Sequence, residues 1–310
     1  MILFTRPVPR PALWGGTLLK NYFHYPSFPD GIGQSWSFSA QEGEGKSNVI
    51  CSAPFQGKTL LSLWEEQPQL FDSSLSRFPV IISLVAPEDD LSLQIHPDDV
   101  QAAKEGFPSG KNEAWYFLEA EENASIVYGQ RAGSEENLRR LIREDRWDRI
   151  MDHLPVRQGD FVYLPAGIIH ALKKGSIVYE IQQATDITYR FYDYHRKDAL
   201  GRERELHLEK AVACVHYDLS AKDAHPPVTC QRVPGAEVTT FVANSSFCVR
   251  RYEISGSSCF DFDAYRLMTC VRGSGTADGQ PVSIGMSFLV PAHSSLSLEG
   301  RMTLMCTSER

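Results

Sequence analysis

The chain has 310 residues, of which 42% are hydrophobic and 23% charged, a composition typical of a folded globular protein rather than a disordered one. Its length allows about two domains or one large β-rich body. With 31 basic and 39 acidic residues the formal net charge is −8, which argues against binding of nucleic acid or an anionic membrane through bulk charge. Any anionic ligand would have to be held by local cations.

Two further features of the sequence concern the cellular location. No run of about 18 apolar residues could span a membrane, and Arg6 and Pro7 interrupt the short apolar start, which therefore does not look like a signal peptide. The seven cysteines are scattered and form no C-x-x-C pair, so we expect small buried side chains in a reducing compartment. They are Cys51, Cys214, Cys230, Cys248, Cys259, Cys270 and Cys306. We therefore expect a cytoplasmic protein.

Short segments rich in aromatic and β-branched residues, separated by Gly and Pro, dominate the chain and predict strands. In chain order they are residues 49–53, 78–86, 91–96, 114–120, 125–128, 160–164 and 176–183. One longer segment, residues 134–154, has apolar residues spaced by three and four and predicts a helix that Ser134 caps. Residues 206–215 predict a second, shorter helix. This pattern predicts a mainly β protein, a barrel or sandwich with a small helical insertion.

The chain contains a short internal sequence repeat that indicates two copies of one β module. Residues 159–166, GDFVYLPA, and residues 285–292, GMSFLVPA, each begin with Gly and end in Pro-Ala. Four residues after that alanine, the first copy has His170 where the second has Leu296. We therefore predict a first domain over residues 1–215, which holds the chemistry and the helical insertion. A second, metal-free barrel is predicted over residues 216–310.

Four polar residues of the first copy form a pattern typical of metal ligands. In the strand over 91–96, alternation directs Gln94 and His96 to the face opposite the aliphatic residues. Glu113 introduces the next strand and shares its face with Lys111, and His170 follows the turn after the strand at 160–164. Two imidazoles, one carboxylate and one amide favour zinc in an open catalytic site. Manganese, iron or cobalt would also fit these donors.

The spacing alone leaves an ordinary structural role open for each of these residues. Nine histidines occur in the chain, and a single histidine is more often a packed or surface residue than a ligand. Glu113 alone could be a charge on a barrel rim. The other histidines, to which no function is assigned, are His24, His153, His195, His207, His216, His225 and His293.

Several segments of the chain together resemble one known family. Four of them, in order, are LSLQIHPDD at 91–99, GKNEAWY at 110–116, PAGIIHAL at 165–172 and EIQQATDITYRFYDY at 180–194. Two shorter segments near the start are WGG at 14–16 and IGQSW at 32–36. These segments resemble the type I mannose-6-phosphate isomerases, also called phosphomannose isomerases. The likeness is strong over residues 3–210 and weaker beyond, and the length resembles the compact bacterial form of the family.

The resemblance implies a pair of cupin-type, jelly-roll β-barrels and one divalent metal ion, with zinc favoured. Carried over by motif, the metal ligands would be Gln94, His96, Glu113 and His170, and Arg190 would serve phosphate binding and catalysis. The implied reaction is the metal-dependent interconversion of mannose 6-phosphate and fructose 6-phosphate through an enediol. The partner would then be a small hexose 6-phosphate.

Four residues are candidates for the catalytic work. Arg190 has a planar guanidinium suited to a phosphate or an enediolate, although an ion pair with Asp186 is the alternative. Lys111 shares a face with Glu113 and could bind the substrate or assist ring opening. Glu180, Asp186 and Lys111 are the candidates for proton transfer, since a partly desolvated carboxylate suits a general base.

Three positions depart from the family pattern. Many members have Glu-Ser-Trp-Glu where this chain has QSWS at 34–37, and members usually carry a lysine at the position of Ser83. These changes motivate a second hypothesis, a sugar-binding or regulatory cupin without turnover. A third hypothesis is a cupin oxygenase with iron on the same two histidines and carboxylate. Arg190 and Lys111 disfavour the oxygenase because they suit an anionic substrate.

Overall fold

Strands make up most of the regular structure in the computed structural model, which describes residues 1–198 and 200–309. The strands up to residue 192 are β1 (Leu3–Thr5), β2 (Val8–Gly16), β3 (Ile32–Phe38), β4 (Val80–Val85), β5 (Leu93–Ile95), β6 (Glu113–Ala120), β7 (Ser125–Gln130), β8 (Met151–Pro155), β9 (Phe161–Leu164), β10 (His170–Ala171), β11 (Ser176–Gln183) and β12 (Tyr189–Tyr192). The later strands are β13 (Thr229–Val233), β14 (Ala236–Ala243), β15 (Cys248–Phe262), β16 (Arg266–Ala277), β17 (Gln280–Ser283), β18 (Ser287–Val290) and β19 (Ser294–Ser308). The prediction of a mainly β protein is confirmed.

The helices are short and lie between strands. They are α1 (Leu18–Tyr22), α2 (Leu60–Glu66), α3 (Asp99–Lys104), α4 (Glu135–Arg143), α5 (Trp147–Ile150) and α6 (Leu208–Ala213), with 3-10 turns at Pro68–Leu70 and Ala221–Asp223. The helix α6 confirms the one predicted over residues 206–215. None of the described helices is long and apolar enough to cross a membrane.

The single long helix predicted over residues 134–154 is wrong in its second half. Its start is as predicted, because the Ser134 side chain accepts a hydrogen bond from the backbone of Asn137. The helix α4 ends after nine residues, and Asp145 then adopts a left-handed conformation with φ 54° that breaks the helical geometry. After the one-turn helix α5, the strand β8 pairs with β7. Backbone hydrogen bonding to a neighbouring strand therefore prevails over the helical spacing.

The strand predicted over residues 49–53 is also wrong. Val49 makes a single bridge with Thr59, and Ile50 makes one with Thr5. The chain then turns, and the backbone N–H of Gly57 donates to the carbonyl of Ile50. Because the two neighbouring residues pair with different partners, no continuous ladder can form.

Three of the seven cysteines, which the sequence predicts as buried, are exposed. Cys51 follows the two isolated bridges in a loop, and Cys230 lies on β13, the edge strand of its sheet. Cys259 lies on β15 beside the buried Ser258, so strand alternation directs it to solvent. The other four cysteines are buried, as predicted.

Two sheets face each other in the first part of the fold. A six-stranded sheet has the order β2-β3-β4-β11-β6-β9, and a five-stranded sheet has the order β12-β5-β10-β7-β8. Apolar residues from both sheets pack between them, including Trp115 and Val178 from one and Ile126 and Tyr128 from the other. The two sheets therefore enclose a common interior, into which strand alternation can direct side chains.

A third, eight-stranded sheet forms the second part of the fold. Its order is β1-β18-β16-β19-β15-β14-β13, with β17 beside β16. It surrounds its own apolar cluster, to which Tyr252, Phe288 and Leu304 belong. Its outer residues pack against the six-stranded sheet, where the rings of Phe161 and Phe241 stack 4.8 Å apart. The first strand of the chain belongs to this sheet through its pairing with β18, and the domain boundary near residue 215 stays a prediction.

The two copies of the internal repeat, residues 159–166 and 285–292, have matching local structure. Gly159 and Gly285 both have a positive φ, 90° and 86°, a conformation that glycine adopts without steric cost. In each copy the strand begins two residues later, as β9 and β18, and ends before the proline. His170 begins β10, whereas Leu296 is fully buried on β19 inside the eight-stranded sheet. The second copy therefore packs an apolar side chain where the first has a histidine.

Replacement of Leu296 tests this packing. Leu296→Ala removes a side chain that is 0% exposed and leaves a cavity, so we expect the free energy of unfolding to fall by about 2–5 kcal/mol. The matched control Leu75→Ala changes a side chain that is 46% exposed and should cost less than about 0.5 kcal/mol. Urea unfolding measures both values, and equal midpoints for the two variants would contradict the buried position of Leu296.

Candidate metal centre and active site

Three buried side chains meet where strands of both facing sheets come together. His96 directly follows β5, His170 begins β10, and Glu113 begins β6. The Glu113 carboxylate lies between the imidazoles, with Oε1 3.3 Å from His96 Nε2 and Oε2 3.4 Å from His170 Nε2. Their potential ligand atoms lie within 4.8 Å of one another, and each residue is at most 2% exposed. We refer to these three residues as the triad.

The proton positions in the triad follow from its hydrogen bonds to the backbone. His96 Nδ1 lies 2.9 Å from the carbonyl oxygen of Ile187, and His170 Nδ1 lies 3.0 Å from that of Ile168. Because a carbonyl oxygen can only accept, each Nδ1 carries a proton, and a neutral imidazole then has a bare Nε2. Burial, followed by the charge of Lys111, lowers the pKa of His96 to about 4. This imidazole is therefore neutral at pH 7.

Two buried polar atoms of the triad lack a hydrogen-bond donor. The Nε2 lone pair of His96 faces a carboxylate, and no hydrogen-bond donor of the described residues reaches His96 Nε2 or Glu113 Oε2. Buried polar atoms normally have a partner, and facing lone pairs repel one another. A cation between them would supply the missing partner. Two imidazoles and one carboxylate are a ligand set that divalent metals accept while a further position stays open.

Lys111 keeps the carboxylate of the triad ionised. Its Nζ lies 3.0 Å from Glu113 Oε1, and both side chains are buried. Burial opposes ionisation of Glu113, but the charge of Lys111 holds the pKa of Glu113 well below its usual value. The contact agrees with the shared face predicted for Lys111 and Glu113.

Gln94 lies beside the triad. It pairs with His170 across β5 and β10, and its Nε2 lies 3.4 Å from Nε2 of His170. Rotation of the terminal amide exchanges its oxygen and nitrogen, so an oxygen ligand can be presented at the same place. Leu93 and Ile95 belong to an apolar cluster on the other side of the strand, as the predicted alternation requires.

A tight turn brings His170 to the triad. Gly167 has φ 87°, and a Cβ at this position would lie 2.5 Å from Cγ of His216, so the turn requires glycine. The backbone N–H of Gly167 donates to the carbonyl of His96 at 2.9 Å. The turn therefore ties the segment before His170 directly to the backbone of the other histidine.

A cavity of about 290 Å³ opens next to the triad. Six of the eight predicted site residues line it: Gln94, Lys111, Glu113, Glu180, Asp186 and Arg190. The other two, His96 and His170, do not line the cavity, but both contact Glu113, which does. Its further polar and aromatic residues include Arg10, Trp14, Gln34, Trp36 and Arg204. A larger open groove of about 590 Å³ lies on the eight-stranded sheet, and the side chains that line it include none of the eight.

Glu180 lies in the cavity with both carboxylate oxygens held. Gln34 Nε2 donates to Oε2 at 2.8 Å, and Trp115 Nε1 donates to Oε1 at 3.0 Å. The same Gln34 amide also donates to the hydroxyl of Ser83 at 2.9 Å. Burial, followed by the charge of Glu113, raises the pKa of Glu180 to about 7. This carboxyl group can therefore exchange a proton near neutral pH.

The departures from the family pattern fall in two places. Gln34 and Ser83 belong to the hydrogen-bond network of Glu180. Ser37 is buried on β3 and is not among the residues that line the cavity. The neutral residues at positions 34 and 83 therefore change the surroundings of Glu180, while the contacts within the triad do not involve them.

Arg190 is half-buried in the cavity without a carboxylate partner. Its Nη1 donates to the backbone carbonyl of Glu205 at 2.9 Å, and no carboxylate oxygen in residues 1–198 and 200–309 lies within 4.0 Å of its guanidinium. The alternative ion pair with Asp186, which is exposed, is therefore not formed. Burial, followed by the charge of Arg204, lowers the pKa of Arg190. Its charge is thus available to an anion.

The sequence patterns do not predict three further residues of the cavity, Arg10, Trp36 and Arg204. The Arg10 guanidinium lies 4.1 Å from the centre of the Trp36 ring. Arg204 donates twice to Asp193, at 2.6 and 2.5 Å, and Arg196 binds the same carboxylate. The arginines that follow Asp193 are a signal for this ion-pair network. Nothing local marks Arg10, because its partner comes from the next strand.

Sequence comparison finds curated relatives of the chain, although no family model matches it. The mannose-6-phosphate isomerase of Streptococcus mutans is 36% identical over 275 residues, which cover 88% of this chain and 85% of that protein. The mannose-6-phosphate isomerase ManA of Bacillus subtilis is 36% identical over 276 residues, which cover 88% of this chain and 86% of that protein.

Solved structures share the fold. The crystal structure of the mannose 6-phosphate isomerase from Bacillus subtilis matches with a TM-score of 0.93 at 33% identity and covers 99% of both chains. A phosphomannose isomerase variant from Salmonella typhimurium matches with a TM-score of 0.79 at 13% identity, which shows the fold alone. Because identity of 36% extends over most of its length, this chain belongs to the mannose-6-phosphate isomerase family.

Proposed function

We propose that this protein interconverts mannose 6-phosphate and fructose 6-phosphate and uses one divalent metal ion to do so. The proposal of a metal ion rests on the triad, in which the buried His96 Nε2 and Glu113 Oε2 have no hydrogen-bond partner among the described residues and converge with His170 on one point. The reaction is proposed from the relatives, which are mannose-6-phosphate isomerases. The cationic side chains that line the cavity suit a phosphorylated sugar.

His96, Glu113 and His170 would hold the ion, and Gln94 would be a weaker fourth ligand. Nitrogen and oxygen donors without a thiolate favour zinc, and manganese, iron or cobalt fit the same donors. The hydrogen bonds from both Nδ1 atoms to backbone carbonyls orient the imidazoles, as is typical of metal-bound histidines. A bound ion would polarise the carbonyl and hydroxyl oxygens of the open-chain sugar.

Aldose–ketose exchange moves one hydrogen between C1 and C2 through an enediol, and we assign this proton to Glu180. The carboxylate would take the proton from C2 of the open-chain aldose, and the C–H electron pair would form the C1=C2 bond. The hydroxyl proton on O2 would pass to O1, and Glu180 would return its proton to C1. Hydrogen bonds from Gln34 and Trp115 hold both carboxylate oxygens, which supports a single orientation for this transfer.

The other predicted catalytic residues would have supporting roles. Lys111 is paired with Glu113, so it would keep that carboxylate ionised and donate to a sugar oxygen during ring opening. Asp186 is exposed, which suits ring opening better than proton transfer in a desolvated interior. Arg190 carries a charge without a carboxylate partner and would bind the phosphate.

We propose that residues 1–215 carry the whole catalytic site and that residues 216–310 form a metal-free barrel. The residues that line the cavity all lie at or before residue 204, and the buried Leu296 stands in the second copy where the first has a histidine. A cytoplasmic location stays a prediction from the sequence.

An activity assay of the metal-loaded protein tests the proposed function against its alternatives. With mannose 6-phosphate we expect fructose 6-phosphate to form well above the rate of a metal-free control. Binding of the sugar phosphate without product would favour the regulatory cupin, the hypothesis that the neutral Gln34 and Ser83 motivate. Oxygen uptake with an organic acid or a diketone would favour the cupin oxygenase.

His170→Ala should remove the bound metal and the activity together, because only two residues of the triad remain at a site that needs three. Metal content after dialysis, measured by mass spectrometry, is a readout independent of turnover. His153→Ala changes an exposed histidine on β8 and is the matched control, which should retain the ion. Stoichiometric metal in folded His170→Ala would contradict the proposed ligands.

The pH profile tests the role of Glu180. A general base must be ionised, so activity should rise with pH as Glu180 loses its proton and should level off above its pKa of about 7. A bound divalent cation favours the carboxylate and should move this acid limb to lower pH. Glu180→Gln should lower kcat by at least about 100-fold with unchanged metal content. Retention of the rate and of the acid limb in this variant would exclude Glu180 as the base.

A further inference from the structure

One arginine of the cavity, Arg10, has no role in the proposed reaction. Arg10 lies on β2 directly opposite Gln34 of β3, and residues paired in this way point to the same face of a sheet. The Gln34 side chain reaches Glu180 inside the cavity. Arg10 therefore faces the interior between the two sheets, and it lines the cavity together with Gln34 and Glu180.

The Arg10 guanidinium is held in place while its charge stays free. It lies 4.1 Å from the centre of the Trp36 ring, a cation–π contact. Pro9 and Pro11 flank it and restrict the backbone of this edge strand. Across the described part of the chain, no carboxylate oxygen comes within 4.0 Å of its nitrogens. Arg10 is therefore an ordered cation without a neutralising partner.

Two other cations of the cavity are already paired. Lys111 lies 3.0 Å from the Glu113 carboxylate. Arg204 donates to both carboxylate oxygens of Asp193. Each of these side chains forms an ion pair with a neighbouring carboxylate, so neither is free to neutralise an incoming anion.

Arg10 and Arg190 are the two cations of the cavity that lack a carboxylate partner among the described residues. Arg190 donates only to a backbone carbonyl. Asp186 lines the same cavity, but it is exposed, so solvent screens its charge. A phosphate monoester carries a charge of about −1.5 to −2 at pH 7, which two guanidinium groups match.

The two arginines flank the same opening of the barrel. Arg10 lies on β2, the edge of the six-stranded sheet, and Arg190 lies on β12, the edge of the five-stranded sheet. Residues of β2 and of β12 line the same cavity, so these two edges border one gap. The triad lies on or next to strands inside the sheets. A sugar whose C1 and C2 reach the triad would thus direct its C6 phosphate towards the gap.

We propose that Arg10 binds the substrate phosphate jointly with Arg190. The inference rests on the proposed function, because it states how the site holds the phosphate of a hexose 6-phosphate. Planar guanidinium groups bind phosphate oxygens in pairs, and the contact with Trp36 orders the Arg10 side chain before the substrate arrives. Arg10 therefore discriminates a phosphorylated sugar from a free one and acts on binding rather than on proton transfer.

Isothermal titration calorimetry with glucitol 6-phosphate tests this proposal without turnover, because this open-chain hexitol phosphate has no carbonyl group to isomerise. The metal-loaded wild-type protein should bind it. Arg10→Ala should bind it about 10- to 100-fold more weakly, since a charged hydrogen-bonding group is lost. Arg10→Lys keeps the charge without the planar donors and should have an intermediate affinity. In turnover assays, Arg10→Ala should raise KM for mannose 6-phosphate with little change in kcat.

Arg6→Ala is the matched control, because Arg6 is an exposed arginine of the same segment that does not line the cavity. This variant should bind glucitol 6-phosphate as the wild type does. Melting temperatures verify folding, and Arg10→Gln, which keeps much of the side-chain stem, replaces the alanine variant if that does not fold.

The outcomes separate this inference from the proposed function. Equal affinity of the wild type, the Arg10 variants and Arg6→Ala would overturn the inference, and so would a wild type that does not bind glucitol 6-phosphate. Failure of the proposed function looks different. The wild type would then bind glucitol 6-phosphate in a manner that depends on Arg10 and yet would form no fructose 6-phosphate.

Discussion

The unprotonated Nε2 of His96 faces the Glu113 carboxylate in the interior of a β-barrel, and the rest of the site is arranged around that constraint. The carbonyls of Ile187 and Ile168 accept the Nδ1 protons of the imidazoles. Lys111 keeps Glu113 ionised, and burial removes the triad from water. Each of these contacts favours bare donor atoms directed at one point, which is costly inside a protein unless a cation is present. On the proposed function, metal binding therefore relieves a repulsion that the fold itself creates.

The unpaired and the paired cations of the cavity lie at different positions in the barrel. The protein has a net charge of −8, yet its cavity contains two arginines whose charge no carboxylate of the described residues offsets. Lys111 and Arg204, by contrast, are paired with carboxylates. The free charge lies on the edge strands β2 and β12, and the triad lies on interior strands. An anionic group at the gap and a reacting carbon chain at the triad would therefore occupy different parts of one cavity.

Local rules of strand geometry predict part of this site and miss the part that depends on strand pairing. Alternation alone indicates that Lys111 and Glu113 share a face, and the contact between them agrees. The helix predicted through residue 154 is wrong because residues 151–155 pair with β7, a partner that the local spacing cannot reveal. Arg10 has no local signal either, since its direction and its ring partner Trp36 depend on β3. The tautomers of the histidines likewise depend on backbone carbonyls whose positions only the folded chain defines.

Anomalous X-ray diffraction from crystals of the metal-loaded protein tests the central claim most directly, because it locates the ion and identifies the element. We predict one anomalous peak about 2.0–2.2 Å from Nε2 of His96, Nε2 of His170 and a carboxylate oxygen of Glu113. A peak coordinated by other residues, or a triad without a peak in protein that contains stoichiometric metal, would contradict it.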